Sequence, residues 1–273
     1  NNYFPEYKKE NIFNNTHALV TKSVNRAFKI LVDTNRTKEE LSKYLNCLRE
    51  KIEVYPFTSH LPNLYSQTKN DFNPDKILKN LNLKNDEKYI FYPAQFWAHK
   101  NHRYVIDALA ILKENKKLNF KTIFCGTDRG NLNYIKEIIK KNNLDKDVII
   151  YNYLKNNEIL ALYSKAMALV MPSYVARSTL PLYEAFFLEV PVFYSKDVLD
   201  KKLAEFTFEM DLNNPSDLAE KLSNYDSLKE EMKLKVESSK KYFLDYCTDK
   251  KKQEILKRIL NEYEYLSKRW SKK

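Results

Sequence analysis

The sequence predicts an α/β protein built on a doubly wound parallel sheet. The main observation is a regular alternation of short apolar segments and amphipathic helices between residues 89 and 195. Near-continuous apolar segments of this kind are typical of parallel strands that are buried on both faces. Of the 273 residues, 43% are hydrophobic, which is enough for a large core. The predicted strands are 89–94, 120–125, 147–153, 167–171 and 190–195.

Each of the first four predicted strands is followed by a helix with an apolar face. In the helix that begins at His102, the apolar positions Val105, Leu109 and Leu112 recur at helical spacing. Amphipathic helices between apolar strands cover both sides of a parallel sheet, which supports the doubly wound class. The remaining predicted helices are 131–142, 157–166, 181–188, 215–224, 227–246 and 251–270.

The first 66 residues follow a different order. A helix at 10–26 precedes two short strands, at 28–34 and 52–57, with a second helix between them. Two strands and two helices are too few for a domain of the usual ~100 or more residues, so we expect the beginning of this domain to be absent. The predicted divisions are 1–66, the incomplete domain; 67–245, the main domain, which opens on a polar linker at 67–76; and 246–273, a terminal helix.

Glycine is unusually rare in this chain. Only Gly126 and Gly130 occur, whereas average usage would give about nineteen. The glycine-rich loops that bind dinucleotides or the phosphates of P-loop proteins need several closely spaced glycines. The sequence therefore excludes dehydrogenases of the G-x-G-x-x-G type and P-loop nucleotide hydrolases.

The net charge is +11, from 47 Lys and Arg against 36 Asp and Glu. The basic residues are scattered among acidic ones along helical faces, and no dense basic tract occurs. A solvated lysine-rich surface explains this pattern most simply, and attraction to anionic lipid headgroups or phosphorylated substrates comes second. We therefore predict no nucleic-acid partner and leave peripheral contact with an anionic membrane open.

The spacing of the cysteines and the length of the apolar runs indicate where in the cell the protein is found. Cys47, Cys125 and Cys247 are widely spaced and odd in number, which favours reduced thiols over a disulfide framework or a zinc site. The sequence begins without an apolar signal core, and no apolar run approaches the length needed to cross a bilayer. These features predict a cytoplasmic location, with membrane association left open.

The loop after the first predicted strand reads QFWAHKNHR and surrounds the start of a helix. Its histidines and cations are His99, Lys100, His102 and Arg103. Positive charge at this end of a helix is unfavourable because the helix dipole is positive there, unless an anion lies between them. Strand-to-helix loops of doubly wound sheets commonly hold phosphate. We therefore predict an anion site in this loop, rather than side chains that simply extend into water.

A second loop follows the fourth predicted strand, in the segment MPSYVARSTLPLYEAF (171–186). Pro181 suits the first turn of the next helix, where its missing N–H has no helical acceptor. Glu184 is not a capping-box residue, because Pro181 stands where that motif needs Ser or Thr. A carboxylate near a helix start can bind two neighbouring hydroxyls while the helix amides hold a phosphate. This combination favours a nucleotide ligand.

The motifs YPAQFWAHKNH (92–102) and MPSYVARSTLPLYEAFFLEVPVFYS (171–195) resemble the donor-binding half of retaining glycosyltransferases of family 4. Such enzymes have the GT-B architecture, in which two Rossmann-like domains face each other across a cleft. The resemblance extends to 1–66, which is similar to the end of the acceptor domain, and implies that the helix at 246–273 crosses back to that domain. It further implies sugar transfer from a UDP- or GDP-sugar to a glycan or lipid-linked acceptor in surface polysaccharide synthesis, with no metal or other cofactor.

The resemblance also implies roles for single residues. Lys100 would neutralise the donor diphosphate, and Glu184, as the second glutamate of the family's E-x7-E motif, would bind the ribose hydroxyls; these are the predicted catalytic residues. Gly126 would line the cleft. Tyr153 and Leu154 would lie where the base sits. The other predicted substrate-binding residues are Gln95, Asn101, Ser178, Thr179 and Leu180.

Two positions depart from the family's pattern. Ala176 stands where the first glutamate of E-x7-E is expected, and Gln95 stands where an arginine often accompanies the lysine. Both changes resemble a subgroup whose motifs read H-K-N-H and L-P-x-x-E-A. The sequence Asp145-Lys146-Asp147 matches the D-x-D motif of metal-dependent glycosyltransferases, but it precedes a predicted strand and so lies at the amino edge of the sheet. We interpret it as a surface turn.

Three other functions stay open at this point. The chain could be a non-catalytic module or incomplete enzyme that binds a nucleotide sugar without transferring it. An RNA or DNA binder is supported by charge alone, and a GT-B-type sugar-nucleotide epimerase by no motif. In the last predicted helix, an apolar stripe from Leu256 to Trp270 favours packing against the rest of the fold over contact with a membrane surface.

Overall fold

A computed structural model describes residues 11–45, 47–84, 86–175, 179–196 and 198–270. Contacts divide the chain into two compact units, a larger one (Thr58–Phe243) and a smaller one (Asn1–Phe57 with Leu244–Lys273). The segment predicted as a linker, 67–76, lies within the larger unit and is partly helical. The domain divisions proposed from the sequence stay a prediction.

The described residues form eight strands and twelve α-helices. The strands are β1 (Ile30–Val32), β2 (Ile52–Val54), β3 (Tyr89–Pro93), β4 (Lys121–Cys125), β5 (Val148–Tyr151), β6 (Ala168–Met171), β7 (Val192–Ser195) and β8 (Phe208–Met210). The helices are α1 (Asn11–Arg26), α2 (Asn35–Tyr44), α3 (Leu61–Thr68), α4 (Pro74–Asn80), α5 (His102–Glu114), α6 (Leu132–Lys141), α7 (Asn156–Lys165), α8 (Leu180–Phe187), α9 (Lys201–Ala204), α10 (Pro215–Ser223), α11 (Lys229–Tyr246) and α12 (Asp249–Trp270).

The larger unit is built on a six-stranded parallel sheet in the order β5-β4-β3-β6-β7-β8. Among the flanking helices, α5 packs against α6 and α10, whereas α7 packs against α3 and α4. This strand order is the doubly wound order, in which the direction of winding reverses between two central strands, here β3 and β6. The predicted fold class is therefore confirmed.

The five strands predicted from the sequence are all present, each slightly shorter than expected. A sixth strand, β8, was missed. It has only three residues, pairs with β7 at the edge of the sheet and exposes Glu209 between two buried side chains. Three residues are too few for apolar periodicity to distinguish a strand from a loop.

Burial explains why the central strands read as continuous apolar runs. Every residue of β6 and β7 is buried, including Phe193 and Tyr194 on opposite faces of the same strand. Burying a large apolar side chain contributes roughly 1.5–3 kcal/mol, so these strands anchor the larger unit. At the opposite edge, β5 is only half-buried beyond its first residue.

The smaller unit contains a two-stranded parallel sheet, in which Ile30 pairs with Ile52 and Val32 with Val54. Helix α12 contacts this part of the chain. The Tyr263 ring packs edge-on to Phe28, with 5.4 Å between ring centroids. Helix α12 also forms ion pairs, namely Lys29–Glu262 and Glu53–Arg258.

The three cysteines are buried and free. In the part of the chain that the structure describes, no helix combines the length and the apolar character needed to cross a bilayer.

Candidate functional site

Two loops predicted to carry the chemistry meet where the sheet reverses its winding. The Tyr92 hydroxyl, from β3, donates to the Lys100 carbonyl at 2.7 Å and lies 3.0 Å from Ser173 Oγ, which follows β6. The Tyr174 N–H donates to the His99 carbonyl at 3.0 Å. The loops after β3 and β6 are therefore joined side by side at the carboxyl end of the sheet, where doubly wound proteins bind their ligands.

Lys100 and Asn101 form the start of helix α5. Lys100 ends a short 3-10 turn and is half-buried. Asn101 adopts a left-handed conformation, with φ of 54°, which asparagine tolerates better than most residues. Its side chain is buried, and Nδ2 has no hydrogen-bond partner among the described residues. A buried donor without a partner is costly, and here it lies at the positive end of a 13-residue helix.

The other basic side chains of this loop do not gather as predicted. His102 is fully buried, stacked on Phe96 at 4.6 Å and close to Tyr92 at 4.7 Å between ring centroids. Burial lowers the pKa of His102 to about 3, so the ring is neutral at physiological pH. Arg103 is exposed and pairs with Asp107 at 3.2 Å on its own helix. The expectation of a four-residue basic cluster was therefore wrong for these two residues.

Gln95 belongs to an exposed polar cluster that the sequence did not predict. Its Oε1 accepts from Trp97 Nε1 at 3.0 Å and from Arg129 Nε at 3.2 Å. The Arg129 guanidinium also lies 5.8 Å from the centroid of the Trp97 ring. Arg129 follows β4 at the carboxyl edge, so the rule that selects loops at this edge could have found it.

The loop that carries Arg129 is fixed by Asp128. One oxygen of this carboxylate accepts from the N–H groups of Gly130, Asn131 and Leu132, at 2.8 to 3.2 Å. These hydrogen bonds hold the pKa of Asp128 below its usual range. Asp128 therefore accepts from the first N–H group of α6, that of Leu132, from within the preceding turn.

Gly126 lies where β4 approaches the end of β3. Its N–H donates to the Tyr151 carbonyl of β5 at 2.9 Å. A Cβ at this position would lie 2.2 Å from the Ala94 carbonyl oxygen, closer than atoms can approach. Glycine is thus required by backbone packing beside the predicted site.

Glu184 lies in the middle of α8 and is largely enclosed by protein. The side chains of Ser59, Tyr163 and His60 lie close enough to its carboxyl group to lower its pKa. Burial nevertheless raises the pKa of Glu184 above its usual value, because the surroundings disfavour charge. None of these neighbours was anticipated from the sequence, since all three come from other elements and carry no motif.

The remaining predicted residues take different environments. Thr179 is buried at the cap of α8, and Leu180 begins the helix half-buried. After β5, the Tyr153 side chain is 79% exposed whereas Leu154 is buried. Ser178 and Ala176 lie outside the described residues, so their predicted roles stay predictions.

The D-x-D sequence lies at the opposite edge of the sheet from these loops. Asp147 directly precedes β5 and pairs with Lys113 Nζ at 2.7 Å. It helps to line a cavity of about 460 Å³, whose walls mix Lys84, Lys88 and Lys121 with acidic side chains. This geometry supports a structural role for Asp147, which forms an ion pair on a surface turn.

The fold and the site together define a class of protein, namely doubly wound α/β proteins in which two polar loops are hydrogen-bonded to each other at the switch point of the sheet. Residues 73–241 match the family described as Glycosyl transferases group 1. The chain therefore belongs to this family. No protein with a curated description matches the sequence.

Solved glycosyltransferase structures share the fold. A glycosyltransferase from Rickettsia africae is 20% identical, with a TM-score of 0.72 over 88% of this chain and 66% of its own. Anabaena HepE, solved with UDP and glucose, is 16% identical, with a TM-score of 0.73 over 91% of this chain and 67% of its own. WaaG, a glycosyltransferase involved in lipopolysaccharide biosynthesis, is 15% identical, with a TM-score of 0.67 over 89% and 65%. The chain thus spans about two thirds of each.

Proposed function

We propose that this chain binds a nucleotide diphosphate sugar, with UDP or GDP as the nucleotide, at the loops after β3 and β6. The sugar is then transferred to a glycan or lipid-linked acceptor with retention of configuration, in surface polysaccharide synthesis. The observation that carries this proposal is the placement of Lys100 and the unpartnered Asn101 amide at the switch point of the sheet, joined to the loop before Glu184.

The donor diphosphate fits the chemistry at the start of α5. The Lys100 ammonium supplies a positive charge, the Asn101 Nδ2 group supplies a donor, and the helix dipole adds partial positive charge at the same point. Breaking the bond between sugar and phosphate leaves negative charge on the nucleoside diphosphate. Fixed positive groups stabilise that charge as it develops, so we propose that no metal is needed.

Glu184 binds the nucleoside end of the donor, at the ribose. An ionised carboxylate has about four lone-pair sites and can accept from both hydroxyls of a ribose. Tyr153, exposed after β5, offers a ring on which a base can stack. HepE, which shares this fold, has been solved in complex with UDP-glucose, which supports a uridine nucleotide as the first ligand to test.

A second candidate function is favoured by the length of the chain. Because it spans about two thirds of the related structures, the chain could bind the donor without transferring the sugar. In GT-B enzymes the acceptor is bound by the other domain, and residues 1–66 resemble the end of that domain. Donor binding and transfer must therefore be measured separately.

The deciding experiment is calorimetric titration of the chain with UDP-glucose and GDP-mannose, with glucose alone as the control. We expect saturable binding of one donor in the micromolar to millimolar range that is usual for enzyme substrates. No saturable heat with either donor would contradict the proposal. Chromatography that detects UDP or GDP released from the bound donor distinguishes a transferase from a binding module.

We further propose that α12 contacts an anionic membrane while presenting a lipid-linked acceptor, in a protein whose place is the cytoplasm. Its Leu260 and Trp270 side chains are 59% and 67% exposed, beside lysines and arginines of the same helix. We expect co-sedimentation with vesicles of phosphatidylglycerol, reduced several-fold by the double substitution of Leu260 and Trp270 with serine. Equal sedimentation with neutral phosphatidylcholine vesicles, or an unaffected variant, would contradict this contact.

A further inference from the structure

Arg129 carries a positive charge at the carboxyl end of the sheet, in the exposed loop after β4. In the described part of the chain its guanidinium contacts Gln95 and Trp97 and forms no ion pair with a carboxylate. Four other arginines do form such ion pairs, namely Arg36, Arg49, Arg103 and Arg258. The charge of Arg129 therefore suits an anionic ligand.

We propose that Arg129 is a further donor-binding residue, whose guanidinium binds the diphosphate of the nucleotide sugar while Gln95 and Trp97 hold it in position. This inference rests on the proposed function, since it adds a second cation to the site assigned to Lys100. The added residue comes from the loop after β4, whereas the cations predicted from the sequence all come from the loop after β3.

The loop that carries Arg129 is joined to the loop that carries Lys100. Strands β3 and β4 are neighbours, and neighbouring strands lie about 4.8 Å apart. Beyond the ends of these strands, the Phe96 N–H donates to the Thr127 carbonyl at 3.0 Å. Within the loop after β3, the Lys100 N–H donates to the Trp97 carbonyl at 3.1 Å. Backbone hydrogen bonds thus fix the two cation-bearing loops side by side.

Gln95 and Trp97 restrict the Arg129 side chain. Gln95 Oε1 accepts from Arg129 Nε at 3.2 Å and from Trp97 Nε1 at 3.0 Å. The Arg129 guanidinium carbon lies 5.8 Å from the centroid of the Trp97 ring, within the range of a cation–π contact. A long side chain that is already held in one conformation loses less entropy when it binds a ligand. Gln95 and Trp97 therefore act through Arg129.

The guanidinium keeps the N–H groups that recognise phosphate. Among the described residues, the hydrogen bond that Arg129 donates uses the N–H on Nε. The terminal nitrogens carry further N–H groups in a planar fork, which matches the oxygens of a phosphate through two parallel hydrogen bonds. The backbone of this loop is held by Asp128, as described above. Arg129 is thus suited to bind a diphosphate without rearrangement of its loop.

The first test is the affinity of Arg129→Ala for UDP-glucose, or for GDP-mannose if that donor binds the wild type, by titration calorimetry. Exposed ion pairs are weak, whereas paired arginine–phosphate hydrogen bonds are stronger, so we expect binding to weaken about tenfold. Thermal unfolding checks that the variant is folded. An affinity within about twofold of the wild type would overturn the inference.

Arg49→Ala is the matched control, because Arg49 is also exposed but belongs to the smaller unit and pairs with Glu39 at 3.5 Å. Both variants lose one positive charge, so a general effect of net charge on an anionic donor appears in both. We expect Arg49→Ala to bind within about twofold of the wild type. Equal losses in the two variants would assign the effect to net charge and contradict a role for Arg129 in the site.

Nitrogen-15 NMR of the Arg129 Nε–H group, assigned with Arg129→Lys, identifies the part of the donor that this residue meets. We expect the signal to shift when UDP, or GDP for a guanosine donor, is added to saturation. The matching nucleoside has the same base and ribose but no phosphate, so it should leave the signal in place. A shift with the nucleoside, or none with the diphosphate, would contradict contact with the diphosphate.

A double-mutant cycle tests whether Gln95 acts through Arg129. We expect Gln95→Ala to move the Arg129 Nε–H signal before any ligand is added, and to weaken donor binding several-fold. In the Arg129→Ala background the same substitution should have no further effect on affinity. Equal losses in both backgrounds would contradict the positioning role, because Gln95 would then act on the donor itself.

The result for the wild type separates this inference from the proposed function. Failure of the wild type to bind either donor would contradict the proposed function, and with it this inference. Saturable binding by the wild type that Arg129→Ala retains unchanged would contradict the inference alone.

Discussion

Replacing Lys100 with alanine should weaken donor binding about 100-fold. Lys100 ends the 3-10 turn that leads into α5 and is half-buried, whereas His102 is neutral and Arg103 pairs with Asp107. Hydrogen bonds to charged groups contribute roughly 1.5–3 kcal/mol, and about 2.7 kcal/mol corresponds to 100-fold in affinity. Titration calorimetry with the donor that binds the wild type measures this loss directly.

The control for Lys100→Ala is Lys84→Ala, a lysine that lines the cavity at the opposite edge of the sheet. Both variants lose one positive charge, so any general effect of net charge on an anionic donor appears in both. We expect Lys84→Ala to bind within about twofold of the wild type, and unchanged thermal unfolding of Lys100→Ala shows that its fold survives. Equal losses in the two variants would mean that the site does not include Lys100.

Replacing Gly126 with alanine should cost the larger unit at least about 3 kcal/mol of unfolding free energy. The new Cβ would lie 2.2 Å from Ala94 O and 2.7 Å from Gln95 N, and both atoms belong to the backbone. No side chain can rotate away, so the ends of β3 and β4 must separate. For a unit of this size the loss corresponds to a melting temperature lower by about 6–12 °C. Donor binding should weaken as well, because the displaced segment leads to Lys100.

Gly130 is the matched control, as it is the other glycine of the chain. A Cβ at Gly130 meets nothing within 4 Å, but its φ of +94° disfavours alanine. We therefore expect Gly130→Ala to cost only about 1 kcal/mol, through backbone strain. A smaller loss in Gly126→Ala than in Gly130→Ala would show that the approach of β4 to β3 is not as close as described.

The sheet was predictable because its physical cause lies in consecutive residues. Strands buried on both faces need long apolar runs, and β3, β4, β6 and β7 display them in a single sequence. The carboxyl-edge rule then selected the loops around Lys100 and Glu184 without any distance information. Strand β8 was not predicted, because it is an edge strand of three residues, one of them exposed, and so contains no long apolar run.

The surroundings of the site were not predictable, because they depend on residues far apart in the chain. Glu184 meets Tyr163 and Ser59 through the packing of three helices, and no spacing in the sequence records that meeting. From the sequence, we expected His102 to be a cation beside a helix start. In the structure its ring is buried among the aromatic rings of Tyr92, Phe96 and Phe124. Because burial disfavours the charged form of the imidazole, His102 is neutral although it belongs to a basic residue type.

The central claim is that one site at the carboxyl end of the sheet holds both ends of a nucleotide sugar. The most direct test is a nitrogen-15 NMR titration of the labelled chain with UDP-glucose, or with whichever donor binds. The proposed site predicts that amide signals of residues 95–101, 126–130 and 179–184 shift together and saturate at one affinity, while those of 117–121, at the amino edge, stay in place. Shifts centred on the amino edge, or shifts near Lys100 without any near Glu184, would contradict it.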